Sequence, residues 1–283
     1  MSDALSLRSG KDRHNENFPV ASFLIAPKAR APIRAFYRFA RFADDIADHR
    51  QAPAADKLRL LEAMRASLVG EKDSSPEAME LRRVLAERDL SPQHALDLLE
   101  AFRRDVTKLR YRDWDDLMDY CRHSAMPVGR FVLDVHGEGR EIWHPNDCLC
   151  AALQVINHLQ DCAKDYRDLN RVYLPEDALC AEGLTVEALG APQADQRLKK
   201  VIAGLAGRNT LLLTQSRPFA RLIGDPRLAL EVDLIQTLAE NLNAMLTRRD
   251  PLSQRVHHSK ADVAALFLRR LPVFLLSRLK GPR

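Results

Sequence analysis

Two apolar segments end in aspartates at helical spacing: FYRFARFADDIAD, residues 36–48, and QVINHLQDCAKD, residues 154–165. Each repeats a carboxylate after four residues, Asp44 with Asp48 and Asp161 with Asp165. Four residues are about one helical turn, so the paired side chains share a helix face about 6 Å apart. Like charges at this spacing repel. Mg²⁺ compensates them readily, because it binds through one or two carboxylates and completes its shell with water and phosphate oxygens.

The residues around both pairs favour a lined cavity over a solvated surface. The first pair closes a segment that is apolar apart from its arginines, where an unpaired carboxylate cluster is costly. In the second segment the polar side chains form one stripe at steps of three or four: Gln154, Asn157, Asp161, Asp165 and Asp168. We expect the two faces to look at each other across a helical cavity and to form a metal-dependent diphosphate site. The predicted Mg²⁺ ligands are Asp44, Asp45, Asp48, Asn157, Asp161 and Asp165.

Composition and periodicity predict an all-α protein. Only 11 of the 283 residues are glycine and 6% are aromatic. Apolar residues recur every three to four positions, whereas sustained alternation is hard to find. No linker or internal repeat divides the chain, so residues 1–283 are predicted to be one domain, with a flexible start at residues 1–15.

Charge and cysteine content exclude several classes of protein. The 43 basic and 39 acidic residues are interspersed and give a net charge of +4, so no nucleic-acid partner is expected. Five cysteines without a C-x-x-C pair, and no signal peptide, predict a reducing cytoplasm. No apolar run approaches the roughly 20 residues that span a bilayer.

Helix signals divide the chain into a series of helices. Ser91 before Pro92 predicts an N-cap, and Pro127 with Gly129 predicts a break or kink. The predicted helices cover residues 27–50, 55–69, 76–88, 92–108, 114–136, 145–168, 195–223, 226–246 and 259–279.

The C-terminal segment, residues 259–283, is predicted to be a basic amphipathic helix kinked at Pro272. Two roles are open for it. It can close the bundle as core, or it can lie at an anionic membrane surface.

With these motifs placed, the chain resembles the squalene/phytoene synthase family over most of its length. The resemblance rests on YRFARFADDIAD (37–48), YCRHSAMPVG (120–129), the stripe from Gln154 to Asp165, and RVYLP (171–175). It implies an isoprenoid-synthase-type helical bundle around a central apolar cavity with two facing aspartate-rich motifs. Three ordered motifs are far more specific than one short pattern.

Within the family the chain looks most like the hydroxysqualene synthases of bacterial hopanoid biosynthesis. The segment ENFPVAS, residues 16–22, and Gln160 before Asp161 are typical of that branch. This likeness implies that presqualene diphosphate ionises, rearranges and captures water, with Mg²⁺ and without NADPH. It also implies a presqualene diphosphate synthase and a flavin-dependent hydroxysqualene reductase as pathway neighbours. Lys164 departs from the glutamate that many members carry in the second motif, which leaves the metal count of that helix open.

The remaining site residues are predicted from charge, helical facing and the resemblance. Arg41, Lys164 and Arg171 lie near the acidic clusters and are candidates to bind phosphate, although each can instead form a surface salt bridge. Tyr37 and Tyr173 are the tyrosines that the family places beside the substrate, where they can stabilise a cation. The further substrate-binding predictions are Phe18, Ser22, Tyr120, Ser124, Gln154, Asn157 and Gln160.

Two alternatives to this function stay open. The chain can be another head-to-head prenyl transferase, making presqualene diphosphate, squalene or phytoene from two prenyl diphosphates. It can also be a non-catalytic assembly protein, although such relatives usually lose acidic-motif carboxylates and all five are present here.

Overall fold

A computed structural model describes residues 26–279, apart from the side chains of Lys260 and residues 276–279. The regular structure of this part of the chain is entirely helical, as predicted. Short 3₁₀ turns lie at Arg140–Ile142 and Val186–Gly190. The α-helices are α1 Pro27–Ala47, α2 Ala54–Val69, α3 Pro76–Glu87, α4 Gln93–Thr107, α5 Trp114–Ser124, α6 Met126–His136, α7 Trp143–Leu169, α8 Glu176–Ala181, α9 Gln196–Ser216, α10 Phe219–Leu222, α11 Pro226–Leu246 and α12 Lys260–Leu279.

The helices fall into two compact units. The first contains the chain up to Leu109 together with Arg122–Gly137, and the second contains Arg110–Cys121 and the chain from Glu138 onward. The chain changes unit after Leu109, after Cys121 within α5, and after Gly137. Each acidic motif therefore belongs to a different unit, α1 to the first and α7 to the second.

In the first unit, α1 packs against α2, α3, α4 and α6. Its buried side chains recur at steps of three or four, which is the pattern of a helix with one core face. The rings of Phe36 and Phe131 stack with centroids 4.0 Å apart, joining α1 to α6. The buried positions that carry α1 into the core are Ala29, Ile33, Phe36, Phe39, Ala43 and Ile46.

In the second unit, α7 packs against α9 and α11. A buried amide network ties the three helices together. Asn209 Nδ2 donates to the carbonyl of Ala152 at 3.1 Å and to Asn243 Oδ1 at 3.0 Å. Asn243 Nδ2 in turn donates to the carbonyl of Ala206 at 2.9 Å. Buried polar groups need such partners, so this network fixes the register of α7, α9 and α11.

Most predicted helix positions are confirmed, with differences at the ends. Pro92 rather than Ser91 is the N-cap of α4, although the Ser91 hydroxyl accepts a hydrogen bond from the Gln93 amide. The break predicted near Pro127 and Gly129 in the helix of residues 114–136 is confirmed and lies at Ala125. The helix predicted for residues 195–223 is wrong in its length, because α9 ends at Ser216 shortly before Pro218.

Separate predictions concern the first 15 residues and the C-terminal helix. Residues 1–15 lie outside the described residues. The predicted C-terminal helix is confirmed as α12, which runs through Pro272 without ending there. Among the described residues, none of the helices combines the length and the apolar character needed to cross a bilayer.

Candidate functional site

The first acidic motif occupies the C-terminal end of α1. Asp44 and Asp48 are half-buried and Asp45 is 8% exposed. The backbone N–H of Asp48, the C-cap, donates to the carbonyl of Asp44 at 2.9 Å, so the helical turn between the two carboxylates is intact. The predicted placement of Asp44 and Asp48 on consecutive turns is therefore confirmed.

The position of this motif is electrostatically unfavourable for α1. The C-terminal end of a helix carries partial negative charge, which repels carboxylates. Arg41 offsets part of this effect, since its guanidinium lies 2.8 Å from Asp44 Oδ2 and 2.7 Å from Asp45 Oδ1. Lys57 of α2 also donates from Nζ to the carbonyl of Ala47 at 2.9 Å. The acidic end of α1 therefore attracts cationic groups, which is the electrostatic property that a metal site requires.

The second acidic motif lies on α7. Gln154, Asn157, Asp161 and Asp165 are all half-buried, while the positions between them are mostly buried. This helix therefore presents one polar stripe along an otherwise packed surface, as the sequence predicts. Lys164 is exposed.

The chain reverses direction sharply where α7 ends. Asn170 adopts a left-handed conformation with φ 51° and ψ 32°, and the Arg171 amide donates to the carbonyl of Asp165 at 3.2 Å. Asparagine tolerates this conformation better than most residues. Arg110 donates to the Asn170 carbonyl and to Asn170 Oδ1. The reversal brings Arg171 and Tyr173 back into the interior of the unit, where both are buried.

An aromatic cluster surrounds Arg171 and Tyr173. The Tyr173 ring stacks on His158 with centroids 3.5 Å apart and on Tyr111 with centroids 5.4 Å apart. The hydroxyls of Tyr120 and Tyr173 lie 3.4 Å apart, and Arg171 Nη1 donates to the Tyr173 hydroxyl at 3.3 Å. The structure therefore brings Tyr120 together with two predicted site residues about fifty positions later, Arg171 and Tyr173.

His158 connects this cluster to the stripe on α7. Its Nε2 lies 3.0 Å from Nε2 of Gln154, so the amide donates to the ring nitrogen. Burial, together with the nearby Arg171 guanidinium, lowers the pKa of His158 to about 3. The imidazole is therefore neutral at physiological pH and can accept a hydrogen bond without adding a second charge beside Arg171.

Sequence reasoning missed two members of this cluster, His158 and Tyr111. A signal for His158 was present, because it lies four residues after Gln154 and three before Asp161, on the same helix face. Tyr111 had no comparable signal. It joins the cluster through backbone bonds between residues 111–112 and 176–177, which connect distant parts of the chain.

The other predicted site residues have varied surroundings. Gln160 is buried, and its amide donates to the carbonyl of Val256, so part of its hydrogen-bonding capacity serves the fold. The Ser124 hydroxyl in the first unit is buried and has no hydrogen-bond partner among the described residues. Tyr37 is half-buried. Phe18 and Ser22 lie outside the described residues.

The acidic residues suit Mg²⁺ by their chemistry. Within residues 26–279, no cluster of three or more His, Cys, Asp or Glu side chains is arranged to hold a metal. Each helix instead contributes a pair of aspartates at one-turn spacing, and on α7 the Asn157 amide oxygen adds to the pair. These are hard oxygen donors, and Mg²⁺ commonly takes only one or two carboxylates from protein and the rest from water and phosphate. The residues present therefore fit the ion.

A cavity of about 610 Å³ in the second unit lies elsewhere, beside α9, α10, α11 and α12. Asp233, Gln236, Arg270 and Phe274 are among its lining residues, and none of the predicted site residues borders it. We assign the candidate site by its chemistry and not by this cavity.

These motifs and the all-helical fold are those expected of the squalene/phytoene synthase family, and comparison with known proteins agrees. The squalene/phytoene synthase family model matches residues 11–262, so the chain belongs to this family. The match extends across both compact units.

Two sequence relatives and one solved structure are similar to this chain over most of its length. The chain is 57% identical to the hydroxysqualene synthase of Rhodopseudomonas palustris over 257 residues, covering 91% of this chain and 88% of the relative. It is 55% identical to the hydroxysqualene synthase of Zymomonas mobilis over 266 residues, covering 93% and 90%. The crystal structure of squalene synthase HpnC from Alicyclobacillus acidocaldarius is similar with a TM-score of 0.73 and 32% identity, over 87% of this chain and 92% of that one.

Proposed function

We propose that this chain is a hydroxysqualene synthase that converts presqualene diphosphate to hydroxysqualene and diphosphate. The observation that carries the proposal is the 50–57% identity to three hydroxysqualene synthases over about nine-tenths of both chains. The acidic pairs on α1 and α7 and the buried Arg171 beside aromatic rings agree with the chemistry that this substrate requires.

The proposed reaction begins with loss of the leaving group. The carbon–oxygen bond to diphosphate breaks, and the bonding electrons depart with the diphosphate. On α1, Asp44 and Asp48 would hold Mg²⁺, and on α7 Asn157, Asp161 and Asp165 would do the same. Bound Mg²⁺ would supply Lewis-acid stabilisation of the negative charge on the leaving group. Arg171 supplies a fixed positive charge suited to the same purpose.

The cation left behind must survive rearrangement until water reaches it. Tyr120 and Tyr173 are the rings proposed to stabilise a passing cation, and His158 already stacks on one face of Tyr173. His158 is neutral, so it does not repel the cation and offers hydrogen-bonding capacity near the tyrosine hydroxyls. Water then adds its oxygen to the cation and one proton is released. No hydride enters the product, so the proposed reaction uses no NADPH.

The proposed pathway neighbours follow from the substrate and product. A presqualene diphosphate synthase would supply the substrate, and a flavin-dependent hydroxysqualene reductase would consume the product. We place the enzyme in the cytoplasm, where prenyl diphosphates are made. We propose no nucleic-acid partner, because the basic and acidic residues of the chain are interspersed.

A second candidate is squalene formation with an external reductant, and the name of one solved relative favours it. The HpnC structure from Alicyclobacillus acidocaldarius is described as a squalene synthase. The non-catalytic alternative has less support, because Asp44, Asp45, Asp48, Asp161 and Asp165 are all retained.

A substrate panel tests the proposal. The purified chain is incubated with Mg²⁺ and presqualene, farnesyl or geranylgeranyl diphosphate in turn, each with and without NADPH. We expect a C30 alcohol from presqualene diphosphate alone, in equal amounts with and without NADPH. Squalene that forms only with NADPH, or phytoene from geranylgeranyl diphosphate, would reject the proposed function in favour of a head-to-head synthase.

A further inference from the structure

Helix α12 carries a continuous apolar face that is exposed. Leu268 is 70% exposed and Leu275 is 53% exposed, which is unusual for large apolar side chains so close together. Other small or apolar residues lie on the same side of the helix, at steps of three or four, and are also exposed. We call this set the outer face of α12: Ala261, Ala264, Ala265, Leu268, Pro272 and Leu275.

The opposite side of α12 attaches the helix to the second unit. Phe274 is buried, and Arg270 forms a two-pronged ion pair with Asp233 of α11, at 2.6 and 2.7 Å. Fork-shaped pairs of this kind fix orientation as well as position. The ion pair between Arg270 and Asp233 therefore turns the outer face away from α11. The exposure of this face follows from that orientation of the helix.

The sequence of the segment that forms α12 is predominantly basic. From Ser259 to Arg283 the sequence contains six lysines and arginines and one acidic residue. Arg269 is exposed and adjoins the outer face. The single acidic residue, Asp262, accepts hydrogen bonds from the backbone and hydroxyl of Ser259 at the start of the helix, so its charge is partly used in capping.

We propose that the outer face of α12 docks onto an anionic lipid surface, with the helix lying in the plane of the interface. Exposed leucines on one side of a basic helix suit the boundary between lipid headgroups and acyl chains. The surplus of basic residues matches the negative potential of such a surface. A second copy of this chain would present the same basic residues, so like charges disfavour it as the occupant. The first 25 residues of the chain are the remaining rival.

Docking would also serve the proposed function, and this part of the inference rests on that function. A C30 diphosphate substrate and a C30 alcohol product both partition into bilayers, so a docked enzyme avoids an aqueous transfer step. The binding itself is measured without substrate, and failure of one proposal therefore leaves the other standing.

A matched pair of glutamate substitutions tests the docking. Leu268→Glu places a charge on the outer face, and Leu211→Glu places the same charge on α9 at a leucine that is 66% exposed. The full chain and both variants are sedimented with vesicles of phosphatidylglycerol and phosphatidylethanolamine, and with vesicles of phosphatidylcholine alone. Thermal unfolding and the oligomeric state in solution are recorded for all three proteins.

We expect the wild type and Leu211→Glu to bind the anionic vesicles, and to be released by high salt because exposed charges are screened. The affinity of Leu268→Glu for anionic vesicles should be at least about tenfold lower than that of the wild type, since the variant loses the apolar contact of one leucine. Its melting temperature should equal that of Leu211→Glu.

Four results would overturn the proposal. The wild type fails to bind anionic vesicles, or both variants bind equally well. A melting temperature lowered by Leu268→Glu but not by Leu211→Glu would show that the chain itself covers the outer face. A dimer that only Leu268→Glu dissolves, without vesicle binding, would assign the face to a second copy.

Discussion

The acidic residues at the C-terminal end of α1 lower the stability of that helix, and Arg41 offsets part of this cost. The carboxylates of Asp44 and Asp45 contact Arg41 within 2.8 Å, in a position where the helix dipole opposes them. A helix built for stability alone would place basic residues there. In the proposed function these acidic residues would hold Mg²⁺, which would offset the cost to the helix together with Arg41.

The proposed metal ligands can be tested one residue at a time. Asp161→Asn keeps the shape of the side chain but removes its charge, so turnover with presqualene diphosphate and Mg²⁺ should fall at least about a hundredfold. The melting temperature should stay near that of the wild type or rise, because repulsion from Asp165 is relieved. Asp44→Asn should lower turnover to a similar extent.

Asp177→Asn is the matched control for these variants, because Asp177 is an exposed aspartate of the second unit outside the motif. It should retain wild-type turnover. Comparable turnover in Asp161→Asn and Asp177→Asn, both folded, would remove Asp161 from the list of ligands.

His158 makes a prediction about acid stability. Its pKa is about 3 in the folded protein because of burial, whereas an unfolded histidine titrates near 6.5. Between these values the unfolded chain binds a proton that the folded chain does not, so stability falls as the pH drops below about 6.5. At pH 5 this one group should lower the free energy of unfolding by about 2 kcal/mol relative to neutral pH.

Denaturant unfolding of the wild type and His158→Gln at pH 7.5 and pH 5 measures this effect. The variant lacks the titrating group, so its loss of stability between the two pH values should be smaller by about 2 kcal/mol. Losses of equal size in both proteins would mean that His158 titrates alike in the folded and unfolded states.

At the scale of helices, the buried amide network of the second unit shows what joins α7 to its neighbours. Asn209 is fully buried and bonds both to the backbone of α7 and to Asn243 of α11. Two apolar helices could slide against each other with little change in burial, whereas these directional bonds are made at only one register. The network thus holds the stripe of Asp161 and Asp165 in a defined position within its unit.

Asn209→Ala should destabilise the protein by about 2 kcal/mol, since it leaves the buried Ala152 carbonyl and Asn243 Oδ1 without this partner. Asn241 provides the comparison, because it makes a similar bond to the Thr237 carbonyl at 2.9 Å but is exposed. Asn241→Ala should change the stability by less than about 0.5 kcal/mol. Equal losses in chemical denaturation would contradict the structural role of the network.

Helix identities were predictable from the sequence, and helix ends were less so. Apolar periodicity predicts α1, α7 and α11 closely because each buries a continuous stripe. The break at Ala125 and the end of α9 at Ser216 depend on nearby prolines whose exact effect periodicity cannot give. The aromatic cluster was only partly predictable, because Tyr111 and Tyr173 meet through a chain reversal at Asn170 and not through helical spacing.

For the whole molecule, the sequence predicts the all-helical fold and the family with the same motifs. The two compact units were not predicted, because no linker or change of composition marks them and the chain crosses between them inside α5. The family match extends over residues 11–262 and so includes both units. The central claim at this scale is the activity itself, namely that water and not hydride completes the product.

Turnover of presqualene diphosphate in H₂¹⁸O, with Mg²⁺ and without NADPH, tests that claim most directly. We expect a C30 alcohol that carries one ¹⁸O atom, because the hydroxyl oxygen comes from solvent. Asp161→Asn should give little of this product under the same conditions. An unlabelled C30 product, or squalene formed only when NADPH is supplied, would contradict the proposed function.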